Sequence, residues 1–338
     1  MRKFLIWALA VLAALLIAVF LLLRTPDTDP AAMRAKYGAP PSQFVALAGG
    51  LTVHLRDEGP RDAPVIVLLH GSNADLHTWD AWTAELAKTW RVVRYDQIGH
   101  GLTGPSPLRD YSPDAFGNTL DQVTARLGIG RFVLAGNSMG GGIALRYAMT
   151  HPERLRGLVL VDLGGAPVRG KSKGNIGFKI ARLPGLRMLM RTITPRPVIA
   201  QSLRQTVGNQ AIVTDAMIDR YWELLRYPGN RQATIDRFGA YPHPASAAQI
   251  GAIKVPTLIL WGEKDPLIPL EAGKWLAAHI PGARLVVYPG IGHIPMEEAV
   301  AATLGDLQPW LSALPPVGPP VGPPVVPSAV TPVVPGAR

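Results

Sequence analysis

Residues 135–142 read AGNSMGGG. One serine stands among four glycines, directly after an apolar run and directly before a predicted helix. A glycine inside a helix is destabilising by about 1 kcal/mol relative to alanine. Gly140, Gly141 and Gly142 are therefore unfavourable unless the backbone needs room there. The segment Gly136-Asn137-Ser138-Met139-Gly140 fits G-x-S-x-G, and it lies between a predicted strand, Arg131–Ala135, and a predicted helix, the setting this motif requires. Such a serine sits on a sharp turn. Side chains two residues before and after it would collide, so Gly136 and Gly140 carry none. The alternative is a glycine-rich turn whose serine is incidental.

A serine hydroxyl needs a base, and the base needs an orienting acid. Among eight histidines, His293 stands out in Gly290-Ile291-Gly292-His293-Ile294-Pro295, in a loop after the last predicted strand. His70 and His100 also sit at strand ends but precede the serine. His70 falls in a loop suited to oxyanion donors, and His100 fits a turn-stabilising role. His54, His77, His151, His243 and His279 have no supporting context. Two carboxylates compete for the acid. Asp265 follows the strand Thr257–Trp261, adjacent to the one that feeds the histidine loop, and Asp162 ends Leu158–Val161. Both fit the order Ser…Asp…His, and strand adjacency favours Asp265. Glu263 is expected to be solvated, and Asp96 to hold the turn Gln97–Gly101. The backbone N–H groups of Met139 and of Ser72, in His70-Gly71-Ser72, are the expected oxyanion donors.

Outside these motifs, apolar runs at Val65–Leu69, Arg91–Tyr95, Phe132–Ala135, Leu158–Val161, Thr257–Trp261 and Leu285–Tyr288 read as buried parallel strands. Helical stretches such as Trp79–Thr89 and Ile143–Met149 separate them. This alternation predicts an α/β fold with a mostly parallel, doubly wound sheet. Phe44–Leu47 and Thr52–Arg56, flanking Gly49-Gly50, predict an antiparallel hairpin at its leading edge. The body divides into a core at 40–163 and 254–313 and an inserted helical cap at 164–253, with Ala211–Leu225 its clearest helix. The cap lies over the carboxyl ends of the strands, where open α/β sheets place ligands.

The two ends differ from the body. Arg2 and Lys3 precede Phe4–Leu23, 20 residues without a charge or a proline. A helix of that length rises about 30 Å, the thickness of the hydrocarbon core. The run exceeds a signal-peptide core, and Phe20-Leu21-Leu22-Leu23 stands where small residues precede cleavage. The reading is an uncleaved single-pass signal anchor within residues 1–30. Its flanking charges place the N-terminus in the cytoplasm and the body across the membrane, in the periplasm if the source is bacterial. At the other end, 315–338 holds nine prolines in 24 residues and reads as a disordered or polyproline tail. The absence of cysteine excludes disulfides and thiol nucleophiles. The net charge of +10 accompanies no nucleic-acid motif. Nine of the cations (Arg169, Lys171, Lys173, Lys179, Arg182, Arg187, Arg191, Arg196, Arg204) fall between Leu163 and Thr214 without an acid, interleaved with apolar residues. That pattern suggests a basic cap face suited to an anionic leaflet.

Taken together, HGS at 70–72, DQIGHG at 96–101, GNSMGG at 136–141, WGEKDPLIP at 261–269 and GIGHIPMEE at 290–298 resemble the α/β-hydrolase superfamily over residues 40–313. The resemblance implies Ser138 as nucleophile, Asp265 as acid and His293 as base, with no metal or organic cofactor. A serine at this position sets the chain apart from the haloalkane-dehalogenase and epoxide-hydrolase branches, which place an aspartate there. GNSMGG also resembles enzymes that cleave carbon–carbon bonds in ring-cleavage products. Those carry a tryptophan after the histidine, where this chain has Ile294. The expected substrate is a small ester or acyl compound, with a carbon–carbon hydrolase or amidase as the alternative. A binding protein on a hydrolase fold is the remaining reading.

Overall fold

The computed structural model describes residues 2–168, 174–181, 183–239 and 244–315. Eight strands form one sheet: β1 Gln43–Ala46, β2 Thr52–Glu58, β3 Val65–Leu69, β4 Arg91–Tyr95, β5 Phe132–Asn137, β6 Leu155–Val161, β7 Thr257–Gly262 and β8 Arg284–Tyr288, in the order β1-β2-β4-β3-β5-β6-β7-β8. The predicted hairpin is present as β1 and β2, joined by the 3₁₀ turn Ala48–Gly50. β2 pairs antiparallel with β4, and β3 to β8 are all parallel.

Most strands start close to where the apolar runs place them, but β6 starts three residues earlier than expected, at Leu155, and β5 and β7 continue further at their carboxyl ends. β5 and β7 are buried along their whole length, which is why they read as uninterrupted apolar runs. Their side chains alternate between two cores. Phe132 and Leu134 pack on one face with Tyr147 and Trp261, while Val133 and Ala135 pack on the other with Trp79 and Trp82. Trp82 Nε1 satisfies its donor on Thr303 Oγ1 at 2.9 Å.

Helix boundaries move where a cap or turn intervenes. The helix expected at Trp79–Thr89 is a 3₁₀ turn, Leu76–Trp79, followed by the helix Asp80–Leu86. The helix expected from Ala211 starts at Asp215, because the Thr214 side chain accepts the Met217 N–H and caps it there. The helix after the serine is longer than Ile143–Met149. It runs Met139–Thr150 and begins on the glycines themselves.

From β3 the chain first builds outward to β4, then returns to place β5 on the other side of β3. This reversal is a topological switch point, and ligands bind at the carboxyl ends of the strands that flank it. Those ends carry His70-Gly71-Ser72 and Ser138. Between β6 and β7 the described residues form six α-helices, Ile176–Ala181, Pro184–Leu189, Arg196–Arg204, Asp215–Leu225, Asn230–Gly239 and Ala247–Gly251, and no strand.

The N-terminal helix is Arg2–Leu23, long and apolar enough to cross a membrane, and none of its apolar window is buried. The segment that follows is bonded to the excursion between β6 and β7. Thr25 N–H donates to Thr192 O at 2.8 Å, Thr28 N–H to Arg226 O at 3.0 Å, and Arg231 pairs with Asp27 at 2.6 Å. A short helix not expected from the sequence, Pro30–Tyr37, is capped by Asp29 and sets Met33 against Leu102 and Leu224. The proline-rich stretch 316–338, His243, and the cations Arg169, Lys171, Lys173 and Arg182 lie outside the described residues.

A β-carbon on Gly140 would stand 2.3 Å from Leu69 O, a backbone atom of β3, whereas one on Gly305 in the helix Val300–Ser312 would meet nothing within 4 Å. Gly140→Ala is therefore expected to destabilise the protein by about 1–3 kcal/mol. Gly305→Ala is expected to stabilise it by about 0.5–1 kcal/mol. Thermal unfolding of the two variants beside wild type checks the opposite signs.

Candidate active site

Ser138 lies between β5 and the helix Met139–Thr150, with φ 53° and ψ −115°. A non-glycine residue there carries about 1–3 kcal/mol of strain, held by its surroundings. Ser138 N–H donates to Val161 O at 2.9 Å, and Ser138 O accepts the Gly142 N–H at 3.0 Å and the Gly164 N–H at 2.9 Å. The glycines around the serine are required by contact. A β-carbon on Gly136 would stand 2.3 Å from Gly140 O, one on Gly141 2.7 Å from Leu163 Cβ, and one on Gly142 2.7 Å from Gly164 O. The helix thus approaches the exits of β3 and β6 closely, with its N-terminus under the serine, where it favours negative charge.

His293 and Ser138 line one cavity of about 100 Å³, together with Gly71, Ser72, Tyr221 and Leu267. His293 Nδ1 bonds Asp265 Oδ2 at 2.7 Å, and the Asp265 carboxylate is fully buried. The other oxygen, Asp265 Oδ1, accepts the N–H groups of Leu267 at 2.7 Å and Ile268 at 3.0 Å. This turn follows from the sequence Asp265-Pro266, since a short acidic side chain caps the backbone two and three residues on. Of the two carboxylates weighed from the sequence, Asp265 is the one bonded to His293. Asp162 lies behind it, fully buried, with Oδ1 accepting the Gly262 N–H at 3.0 Å.

One atom each of Asp162, Asp265 and His293 falls within 4.8 Å of the others, a spacing a cation could use. His293 Nδ1 and both Asp265 oxygens are already committed, however. His293 Nδ1 is bonded to Asp265, and Asp265 Oδ1 holds two N–H groups, so a metal would have to displace these bonds.

The loop His70-Gly71-Ser72 passes directly beside the serine, for a β-carbon on Gly71 would lie 3.2 Å from Ser138 Cβ. His70 is part of its frame. Its Nε2 accepts the Gln97 N–H at 3.0 Å, its Nδ1 bonds Gly71 O at 2.7 Å, and burial pushes the imidazole below its usual range. Burial and the neighbouring Arg237 push His100 well below that range as well. Arg237, on the helix Asn230–Gly239, touches His100 and donates to Ser72 Oγ at 2.9 Å and Asn73 Oδ1 at 3.3 Å. A second, larger cavity of about 530 Å³ opens beside this loop, lined by Ser72, Met139, Tyr111, Phe116, Met149 and Arg237. Ser72 borders both cavities.

Sequence reasoning missed several supports. Asn137 Nδ2 donates to His293 O at 3.1 Å, and Thr206 O accepts the His293 N–H at 3.0 Å. The Glu298 carboxylate accepts the Gly292 N–H at 3.1 Å and the Gly208 N–H at 2.7 Å, fastening the histidine loop to the helical excursion. Glu298 belongs to GIGHIPMEE, so a signal existed. Thr206 gave none. His54, which had no sequence context, is buried and bonded to Asp96 Oδ2 at 2.7 Å. Asp96 also accepts the N–H groups of Leu76 at 2.8 Å and Leu102 at 2.7 Å, and so ties the expected turn to the loop after β3. Glu263 is exposed as expected, yet its carboxylate accepts the Gly290 N–H at 3.1 Å. His77, His151 and His279 make local contacts with Asp75, Thr150 and Trp275.

The chain is similar to proteins of two chemistries. It is 28% identical over 267 residues to the 2-hydroxy-6-oxo-6-phenylhexa-2,4-dienoate hydrolase of Burkholderia cepacia, a match covering 75% of this chain and 90% of that protein. The structure of a bacterial membrane phospholipase A superposes with a TM-score of 0.70 at 25% identity, covering 92% of this chain and 98% of that one. A hydrolase from Pseudomonas aeruginosa PA01 gives 0.68 at 25% identity, covering 81% and 100% of the two chains. The family defined by the alpha/beta hydrolase fold matches residues 64–300. With that match over most of its length, and with the sheet described above, this chain belongs to the α/β-hydrolase family.

Proposed function

We propose that this protein is a membrane-anchored serine hydrolase of carboxylic esters. The observation that carries the proposal is the His293–Asp265 bond of 2.7 Å, made in the wall of the cavity that Ser138 also lines. With Asp265 ionised, Nδ1 of His293 carries the proton and Nε2 keeps its lone pair. Nε2 then takes the proton of Ser138 Oγ as the oxygen attacks the ester carbonyl. The N–H groups of Met139 and Ser72 donate to the developing oxyanion, each worth about 10²–10³ in rate. His293 returns the proton to the leaving alkoxide, and water repeats the sequence on the acyl-enzyme. The cavity of about 530 Å³, with Tyr111, Phe116 and Met149 in its wall, suits the apolar part of the substrate.

The membrane reading rests on position. The helix Arg2–Leu23 is followed at once by the bond from Thr25 to Thr192, so the anchor leaves the body beside the helix Pro184–Leu189. Leu183, Met188 and Leu189 are exposed there, with Arg187 and Arg191 next to them in the chain. Apolar residues flanked by cations suit an anionic leaflet. Arg196, by contrast, pairs with Asp215 and Asp219 and is not part of such a face. We place the body on the extracytoplasmic side.

A second reading, carbon–carbon cleavage, is favoured by the Burkholderia cepacia relative, whose name specifies a dienoate, and by Arg237 in the wall of the larger cavity. A guanidinium there suits a substrate carboxylate.

Full-length protein in detergent is expected to hydrolyse p-nitrophenyl esters, and a series of graded acyl length beside a dienoate ring-cleavage product decides between the two readings. Ser138→Ala is expected to lower kcat by about 10⁴-fold or more. Asp265→Asn, which favours the wrong imidazole tautomer, is expected to lower it by about 10⁴-fold. Turnover that survives Ser138→Ala contradicts the mechanism. Met149→Trp, which fills the larger cavity, is expected to reduce kcat/KM for long-chain esters and spare the acetate ester. The double substitution Leu183→Ser, Leu189→Ser is expected to raise KM for esters embedded in anionic vesicles while leaving turnover of a soluble short ester unchanged.

A further inference from the structure

Asp162 is a buried titratable group that the mechanism above does not use. It follows β6 directly with φ 41°, a left-handed conformation that Asp and Asn tolerate better than most residues. Its side chain is fully buried, and Oδ1 is satisfied by the Gly262 N–H at 3.0 Å. No N–H or hydroxyl among the described residues reaches Oδ2. The neighbour Asp162 does have is the carboxylate of Asp265, in the adjacent strand's exit loop. Two ionised carboxylates side by side in a dry interior repel, and neither can donate a hydrogen bond to the other. One proton removes both faults.

We propose that Asp162 is a neutral carboxylic acid whose Oδ2 hydroxyl donates to the Asp265 carboxylate, making Asp162 a positioning residue for the His293–Asp265 pair. The proton belongs on Asp162 because Asp265 is the better-supported anion. Asp265 already receives two backbone N–H groups and the imidazole N–H, whereas Asp162 receives one N–H. The groups that face Asp162 agree. Asp265 and Glu298 are both acidic, Tyr288 is neutral, and the His293 imidazole, within 4.8 Å in the same cluster, is turned to Asp265 by its Nδ1 bond; burial, with Asp265 and Glu298, pushes the Asp162 carboxyl well above the usual range. As a donor, Asp162 fixes the orientation of Asp265. It also disperses that carboxylate's charge, and so weakens the attraction between Asp265 and an imidazolium at His293.

The role rests on the triad reading, and its test has a readout that does not. A group whose folded pKa is raised keeps a proton that the unfolded chain loses, so its contribution to stability falls as pH rises past the unfolded value. Asp162→Asn removes this titration and keeps a donor in the same place. In full-length protein in detergent, the difference in Tm between Asp162→Asn and wild type is expected to be small near pH 4 and to grow in favour of the variant toward pH 8. A difference independent of pH, or one that turns against the variant as pH rises, overturns the proposal.

The second readout is the pH dependence of inactivation by a fluorophosphonate. Asp162→Asn should leave the acidic limb of that profile where it is in wild type. Asp162→Gly, which suits the backbone angle but cannot donate, should move the limb to higher pH. If Asp162 were an anion, both variants would remove a negative charge beside the imidazolium, and both limbs would move to lower pH. A merely structural role would lower reactivity at every pH and move neither limb. Either result contradicts the proposal. If wild type does not react at all, the serine-hydrolase reading fails, while the stability comparison still decides where the proton resides.

Discussion

The contact between the helix Met139–Thr150 and the strand ends beneath it governs the rest of the structure. Gly140 stands so close to Leu69 O that a β-carbon would come within 2.3 Å, and Gly136 is equally close to Gly140 O. That approach gathers the exits of β3, β5 and β6 at one point. β5 supplies Ser138, β6 supplies the carbonyl that holds its N–H, and β3 supplies the loop that crosses beside it. The parallel sheet is buried on both faces and cannot relax to relieve the strained angles at Ser138. Stability spent on the turn holds the hydroxyl at the wall of a cavity.

Two further strand ends bring the partners of the proposed triad. β7 and β8 are neighbours, so the loops leaving them, with Asp265 and His293, meet without a long connection. The helical excursion then braces both sides of the site. Thr206 and the Gly208-Asn209 turn hold the histidine loop through the His293 N–H and Glu298, and Arg237 holds the loop after β3 through Ser72. The same excursion receives the segment after the N-terminal helix at Thr192 and Arg226. The site, the cavity beside it and the N-terminal helix are therefore connected through one group of helices.

Much of the fold was legible in the sequence because buried parallel strands leave a strong signal. Val65–Leu69 and Arg91–Tyr95 carry their boundaries in their own apolar runs. β5 and β7 end later than expected, at Asn137 and Gly262, because polar or small residues at a strand's carboxyl end look like loop. The helix after Ser138 was read short for a related reason, since helical propensity penalises glycines that packing demands. Local motifs made the site legible. Asp265 could be preferred to Asp162 because strand adjacency is implied by chain order. Contacts with no local pattern could not be read. The Asn137 bond to His293 O spans 156 residues, and the His54–Asp96 pair joins two strands that neighbour only in the sheet.

The central claim is that Ser138 is the nucleophile. Peptide mapping by mass spectrometry after reaction of full-length protein with a fluorophosphonate tests it most directly. The account predicts one adduct per chain, on the peptide containing Ser138, absent when the protein is unfolded before labelling. An adduct on a different residue, or ester turnover that continues with Ser138 unmodified, would contradict it.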